Sequence, residues 1–355
     1  MDQSIPNDTP VKYYFLKYYV AVVPLFFAAI IYWVEPPPIF DDLYRFHHFH
    51  QKFLGFDFRT FLHFLNQVPD FLSSFYLFVG AKTGFSAHFV LAAITYATVA
   101  VYLMVFDRSV GAKSLGVILL SLVGLSVAPL LSGVRNMHSS VLVLASFYLW
   151  FKSQRRFALF IYVLAVLTHF SSVLFLPFFF LSRCSVQFFR LFWKCSFCGF
   201  LVFIIQPYLP EFFFKAESVL PQQYALRLSY YLYERDYYYS IVPKDLKLLF
   251  FSLLKFSWFG LLNYFLIVHK PKETEIAPLQ QFYTKLLYFG TGVSLFLIVF
   301  LTVAERYMIL VKMVFVILLM LSCLPSGKKN WSLSLLSAIL LVTLLIYFEG
   351  FLDFI

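Results

Sequence analysis

Charged residues are scarce in this chain. Of its 355 residues, 28 are Lys or Arg and 18 are Asp or Glu, which makes 13% charged, whereas globular proteins average about 25%. Hydrophobic residues make up 61% of the sequence, and the mean hydropathy is +0.80. A water-soluble core cannot bury that much apolar surface, so the composition predicts an all-α integral membrane protein, since helices satisfy their own backbone polar groups in lipid.

Cysteine and glycine patterns that mark other protein classes are also missing. Cys195 and Cys198 form one C-x-x-C pair with no second pair, so neither a zinc site nor a disulfide framework is indicated. Walker-type and Rossmann-type glycine patterns are absent. The run from His47 through His48 to His50 has no cysteine or further histidine nearby at ligand spacing. We therefore predict no metal and no other cofactor.

The basic residues that are present lie mostly in short connections between apolar runs. The net charge is +10, which in a soluble protein would suggest nucleic-acid binding. In a membrane protein, Lys and Arg in short loops instead mark the cytoplasmic side. The clearest clusters are at 152–156, 269–272 and 327–329. We predict that these three loops are cytoplasmic and that nucleic acid is not a partner.

Counting apolar runs outward from those loops gives a polytopic topology. The expected helices are 13–34, 84–106, 114–131, 134–151, 186–206, 246–268, 286–303, 307–324 and 331–348. Residues 157–181 break the alternation, because basic residues expected on the cytoplasmic side both precede and follow them. A pair of half-helices turning at the polar cluster 168–172 resolves the conflict. The prediction is one transmembrane domain over 1–355, with about 10–12 transmembrane or re-entrant helices.

Two longer connections fall on the extracytoplasmic side of the membrane on this topology. Residues 35–83 are expected to form an extracytoplasmic segment at the membrane interface, and residues 207–245 a Tyr-rich extracytoplasmic loop. Tyrosine at such density suits the lipid headgroup layer. Tyrosine rings also stack on sugars, so Tyr230 is a candidate for binding a glycan.

Several ionisable residues converge at the outer face, which the positive-inside rule leaves poor in basic residues. They are Asp41, Asp42, Arg45, Arg135, His169, Glu305 and Arg306, and Lys312 lies about two turns into the same helix as Glu305. Single arginines at helix ends often extend to the headgroups, and Glu305 could simply neutralise Lys312. A lipid diphosphate would use the whole set, because arginine binds phosphate oxygens bidentately and histidine can accept a proton from an attacking hydroxyl.

Four sequence patterns resemble the EpsG/Wzy-like polysaccharide polymerase family. They are Asp-Asp-Leu-Tyr at 41–44, Gly-Val-Arg-Asn-Met-His-Ser-Ser at 133–140, Leu-Ala-Val-Leu-Thr-His-Phe-Ser at 164–171 and Arg-Tyr at 306–307. The resemblance implies a GT-C-like membrane glycosyltransferase that makes O-antigen, capsule or exopolysaccharide. It would transfer a growing glycan from undecaprenyl diphosphate onto a lipid-linked repeat unit, at the outer face of the bacterial inner membrane.

With that activity in view, the candidate residues divide into three roles. The candidate base is His169, with Asp41 and Asp42 as alternatives. The candidate diphosphate ligands are Arg135, Arg306, Arg45 and Lys312. The candidate contacts to the acceptor are Glu305, Tyr307, His138, Tyr44 and Tyr230. The expected partners are lipid-linked oligosaccharides, membrane lipids and a protein that sets chain length.

Two other functions fit the same residues. A flippase for lipid-linked oligosaccharides would also need cations near a diphosphate, although charges gathered at one face argue against transport. A membrane O-acyltransferase would need a histidine that the cytoplasmic acyl donor can reach. His169 is placed outside only through the predicted topology, so this alternative stays open.

Overall fold

A computed structural model describes residues 10–34, 42–66, 70–110, 121–122, 124–125, 134–199, 201, 260, 262–267, 277–298 and 301–323. Every element in these ranges is helical, which confirms the all-α prediction, and they contain no strand. The Tyr-rich loop 207–245 and the predicted helix 331–348 lie outside the described residues. Most residues of the predicted helices 114–131 and 246–268 also lie outside the described residues.

The chain divides into two compact units, one of residues Met1–Val173 with Leu319–Ile355 and the other of Leu174–Leu318. The helices of the first unit are α1 (Pro10–Trp33), α2 (Asp42–Leu54), α3 (Phe58–Leu65), α4 (Phe71–Thr83), α5 (Ala87–Val110), α6 (Val134–Phe151) and α7 (Arg155–Thr168). A 3₁₀ turn at Phe170–Phe175 follows. The remaining helices are α8 (Leu176–Leu181), α9 (Val186–Cys195), α10 (Pro278–Phe296) and α11 (Leu301–Cys323).

Helix α5 has the length and composition of a membrane span. Among the described residues it is the one helix that meets both criteria, and the shorter apolar helices are Tyr18–Trp33 and Phe170–Leu181. Helix α6 coincides with the predicted helix 134–151. Its 18 residues extend about 27 Å, close to the thickness of a hydrocarbon layer. The number of spans stays a prediction.

Helix α4 lies in the core of the first unit, where it packs against α2, α5 and α7. Its crossing with α5 is close at Gly80, where an added Cβ would lie 2.3 Å from a methyl carbon of Val90. The helix ends at Gly84, which has a left-handed φ of 79° that favours glycine. The segment 35–83, expected only to lie at the interface, therefore carries part of the protein core.

The predicted interruption at the polar cluster 168–172 is confirmed, while the re-entrant path of the two half-helices stays a prediction. Helix α7 ends at Thr168, and His169 has an extended backbone, with φ −151° and ψ 109°. The next helical segment is the 3₁₀ turn, followed by the six-residue helix α8. Polar side chains that bond to nearby backbone favour such interruptions, and the Thr168 hydroxyl does so by donating to the Leu164 carbonyl at 2.8 Å.

Several predicted helix boundaries are wrong. Helix α9 ends at Cys195, where a turn at Ser196 interrupts the predicted helix 186–206, and residues 197–199 are helical again. Helix α10 begins at Pro278 rather than at 286 and ends at Phe296 rather than at 303. Helix α11 begins at Leu301, so Arg306 lies in its second turn instead of opening the helix. Hydropathy excluded the polar residues at the start of α10, yet Thr284 and Lys285 are buried there. Boundaries set by apolar runs fail where a helix buries polar side chains.

Candidate active site

The site is built around Asp70, which is the residue immediately before α4. An aspartate at this position usually accepts a hydrogen bond from the helix backbone, but the Asp70 side chain makes no such bond. One of its oxygens, Oδ1, lies 3.0 Å from Nδ1 of His169. The other, Oδ2, forms an ion pair with Nη1 of Arg135. Asp70 thus joins two of the residues predicted from the sequence to bind substrate.

All three side chains are largely buried. The exposed fractions are 7% for Asp70, 14% for Arg135 and 11% for His169. Burial alone would raise the pKa of Asp70, but the hydrogen bond from His169 and the positive charge of Arg135 lower that pKa to about 2. Phe170 adds a backbone N–H donated to Oδ1 at 3.3 Å. The carboxylate is therefore ionised at neutral pH.

Three parts of the chain bring these side chains together. Asp70 precedes α4, Arg135 lies in the first turn of α6, and His169 occupies the break after α7. Helix α7 packs against both α4 and α6. The Ser73 hydroxyl donates to the Thr168 carbonyl at 3.1 Å and fixes the start of α4 against the break. The geometry depends on helix packing as well as on the three residues.

The hydroxyl groups around His169 donate hydrogen bonds to backbone carbonyls beside the interruption in the helix. Ser139 on α6 donates to the Ala165 carbonyl at 2.8 Å and also contacts the Ser172 hydroxyl. Tyr162 donates to the Ser172 carbonyl at 2.7 Å. These hydroxyls stabilise the interrupted backbone, whereas His169 contacts a carboxylate. The polar cluster at 168–172 therefore has two roles that the sequence could not separate.

A pocket with mainly apolar walls lies beside Arg135. Its lining residues are Phe46, Ser73, Tyr76, Leu77, Leu91, Ile94, Val134, Arg135 and His138. The Arg135 guanidinium lies 5.9 Å from the centre of the Phe46 ring. His138 is held by a 2.7 Å hydrogen bond between its Nδ1 and the Thr98 hydroxyl, and its ring contacts Tyr76 edge-to-face. Arg135 and His138, predicted to share a helix face, both border this pocket.

The predicted residues that follow the first helix, and Tyr230 of the Tyr-rich loop, are only partly described. Asp41 and Tyr230 lie outside the described residues, and of Asp42 only its place at the start of α2 is given. Arg45 is exposed, while Tyr44 is half-buried and stacks on His48 with ring centres 6.4 Å apart. The roles of these five residues stay predictions.

The late candidates lie on α11. Tyr307 is buried and packs against Phe175 with ring centres 5.3 Å apart. Arg306 and Lys312 are partly buried, and of Glu305 only its place in the helix is described. These four residues belong to the second unit, and Asp70, Arg135 and His169 belong to the first.

Sequence analysis missed Asp70. The residue lies in the segment 35–83, in which the Asp-Asp pair at 41–42 was the more conspicuous acidic feature. One signal was present, because Asp70 stands alone between Pro69 and an apolar helix that contains no other acidic residue. An isolated carboxylate at the edge of an apolar helix requires a buried partner, and Arg135 and His169 are the partners here.

Comparison with known proteins assigns the chain to a family. No curated protein and no solved structure matches it significantly. A family model described as the EpsG family matches residues 38–353, a range that contains Asp70, Arg135, His169 and all helices from α2 to α11. Because the match covers nearly the whole chain, this protein belongs to the EpsG family, a family of membrane proteins.

Proposed function

We propose that this protein is a polysaccharide polymerase of the Wzy type. It transfers a growing glycan from undecaprenyl diphosphate onto a lipid-linked repeat unit, without a metal ion, at the outer face of the bacterial inner membrane. Family membership supports a polymerase-type glycosyltransferase. The observation that carries the catalytic part of the proposal is the 3.0 Å contact between His169 Nδ1 and the buried carboxylate of Asp70.

In this mechanism His169 is the general base. A carboxylate only accepts hydrogen bonds, so Asp70 favours the tautomer in which Nδ1 carries the proton and Nε2 carries a lone pair. The acceptor hydroxyl attacks the anomeric carbon of the donor glycan and gives its proton to Nε2. The bond from that carbon to the diphosphate oxygen breaks, and the lipid diphosphate leaves. A positioned base contributes about 100- to 10,000-fold in rate.

Arg135 stabilises the leaving diphosphate. Its guanidinium has five N–H donors, and the contact to Asp70 is made through Nη1, so one side chain can bind a carboxylate and a phosphate together. The ion pair also holds the guanidinium in a fixed orientation before substrate arrives. Arg306, Arg45 and Lys312 are the other candidate ligands for the diphosphate charge.

The candidate contacts to the acceptor are His138, Tyr44, Tyr230, Glu305 and Tyr307. His138 has the best support, because it borders the pocket beside Arg135 and a hydrogen bond to Thr98 fixes its ring. The partners in the proposal are lipid-linked oligosaccharides, membrane lipids and a protein that sets chain length.

The multi-pass topology with an outward-facing site is part of the same proposal. Helix α6 is about long enough to cross the hydrocarbon layer, so its two ends should lie on opposite sides. Cysteines introduced at Gly133 and Arg155, in a chain whose own cysteines are replaced, should react with a membrane-impermeant maleimide from opposite sides. Labelling of both from the same side would contradict the topology.

The central test uses purified protein and a synthetic undecaprenyl-diphosphate repeat unit. Wild-type protein should produce a ladder of glycan lengths without another enzyme. His169→Ala should nearly abolish the ladder but still bind the donor. His169→Gln keeps hydrogen-bonding groups but cannot accept the proton, so it should be as inactive as the alanine variant. His63→Ala, an exposed histidine on α3, is the matched control and should polymerise normally.

The Asp70–His169 pair also suits O-acyl transfer, because that reaction takes a proton from a hydroxyl too. The same assay separates the two activities. If wild-type protein forms no ladder but transfers a labelled acyl group to the glycan, and His169→Ala does not, the protein is an acyltransferase.

A further inference from the structure

Two histidines outside the active site face each other between α2 and α5. The rings of His47 and His88 have centres 4.2 Å apart and are inclined by 62°. His47 belongs to the Phe-His-His-Phe-His run, and His88 lies in the first turn of α5. The sequence near that run contains no further histidine, but the fold brings His88 against His47, although it lies 41 residues further along the chain.

Each ring has a buried nitrogen that lacks a hydrogen bond. Nε2 of His47 and Nδ1 of His88 are inaccessible to solvent, and neither has a hydrogen-bond partner among the residues that the structure describes. Burying a polar atom without a partner is costly, so these two nitrogens call for a partner such as a water or a metal ion. The third histidine of the run is already used, since Nε2 of His50 contacts the carbonyl of Phe85 at 2.8 Å.

We propose that His47 and His88 bind one late first-row divalent metal ion, such as Cu²⁺ or Zn²⁺, through Nε2 and Nδ1. Imidazole nitrogen is a preferred ligand of these ions. Rings with centres 4.2 Å apart are close enough for two nitrogens to reach one ion at about 2 Å each. Within the described residues, no three His, Cys, Asp or Glu side chains form a metal-binding group, so the proposal assigns two protein ligands to the ion.

The two proposed ligands lie on different helices, His47 on α2 and His88 at the start of α5. Bound in this way, the ion would link α2 to α5 and hold the segment 35–83 against the membrane helix.

The test is metal binding by the full chain in detergent, measured by equilibrium dialysis against Cu²⁺, Zn²⁺ and Mg²⁺. Wild-type protein should bind one Cu²⁺ more tightly than Zn²⁺ and should not bind Mg²⁺. His47→Gln and His88→Gln should each lose that ion. His48→Gln changes the exposed neighbour on α2 and should retain it. Equal binding by all four proteins would place the ion elsewhere, and no binding by wild type would mean that only a water occupies this position.

A measurement on wild-type protein tests the proposal even if the variants fail to fold. Electron paramagnetic resonance of the bound Cu²⁺ should show two equatorial imidazole nitrogens. One nitrogen, or the signal of the hydrated ion, would overturn the proposal. Added Zn²⁺ should also raise the melting temperature of wild type, and should leave that of His47→Gln unchanged. An equal rise in both would place the ion elsewhere.

Discussion

In the first unit a buried carboxylate, Asp70, contacts two basic side chains, whereas Lys285 and Arg190 in the second unit contact neutral groups. Lys285 is 9% exposed and donates to the Ser182 carbonyl at 3.3 Å. Arg190 donates to the Tyr288 hydroxyl at 3.4 Å. No Asp or Glu occurs among the described side chains of residues 174–318. Among the described side chains, the first unit thus pairs a histidine and an arginine with a carboxylate, and Lys285 and Arg190 in the second unit contact neutral oxygens.

The difference matters because the two arrangements respond differently to substitution. Removing one member of a buried ion pair leaves the other charge uncompensated, which typically costs about 3–5 kcal/mol. Removing a lysine that bonds to a carbonyl removes a charge and leaves only a neutral acceptor. The predictions below test whether chemistry resides in the first unit while the second unit supplies electrostatic attraction.

Asp70→Asn should have the largest effect. The amide is neutral, so Arg135 loses its ion pair and His169 loses the group that fixes its tautomer. We expect polymerisation to fall by about 100- to 10,000-fold, the contribution of a positioned base. Asp57→Asn is the matched control. Asp57 is an exposed helix cap that accepts a 2.7 Å hydrogen bond from Thr60, and its loss should leave activity per folded molecule unchanged.

The measurement is the initial rate of ladder formation at equal amounts of folded protein. Asp70→Asn should also lower the free energy of unfolding by about 3 kcal/mol, since Arg135 stays buried without its partner. Normal polymerisation by this variant would show that the carboxylate only stabilises the fold. If His169→Gln also restored most of the activity, Asp41 or Asp42 would become the better candidate for the base.

Arg306→Lys should have the next largest effect. An ammonium cannot reproduce the bidentate contact of a guanidinium with phosphate oxygens. Losing one charge-assisted hydrogen bond costs about 1.5–3 kcal/mol, so catalytic efficiency should fall by roughly 10- to 100-fold. The same substitution at Arg183, a basic residue in the short connection after α8, is the control and should have no effect. Unchanged efficiency in Arg306→Lys would leave Arg306 as a lipid contact.

The sequence predicted helix α6 and the break at His169 well, for local reasons. An apolar run bounded by Arg135 and by the basic cluster at 152–156 defines α6 by itself. The hydroxyl-rich stretch at 168–172 competes locally with helical hydrogen bonds. Arg135 and His169 were conspicuous because a charge and a titratable ring are rare in apolar runs.

Asp70, the start of α10 and the His47–His88 contact could not be found in the same way. Each depends on helices that are distant in sequence. Asp70 is 65 residues from Arg135 and 99 from His169, and Lys285 is 103 residues from the carbonyl that it contacts. A pattern within one segment cannot show which segment packs against it. The residue that joins the predicted site residues was therefore the one that sequence analysis missed.

Acid should destabilise the first unit through Asp70. Its pKa is about 2 in the folded protein, below the ordinary value of 3.8, so the carboxylate favours folding above pH 4. That contribution, about 2 kcal/mol, should disappear as the pH falls from 4 towards 2. Melting curves of wild type and Asp70→Asn across this range should converge at low pH. A constant difference between them would mean that Asp70 is not ionised in the folded state.

Lys285→Met should have the smallest effect. Methionine fills nearly the same volume and removes a buried cation, while the Ser182 carbonyl loses the donor at 3.3 Å. Methionine avoids the cost of burying the ammonium charge, and this saving offsets the loss of the hydrogen bond to Ser182. The free energy of unfolding should therefore change by about 1 kcal/mol or less. Activity per folded molecule should stay within about threefold of wild type, which corresponds to less than 1 kcal/mol. A much larger loss of activity, with stability unchanged, would show that Lys285 attracts the anionic substrate. The second unit would then take part in binding through a residue that now contacts only a carbonyl group.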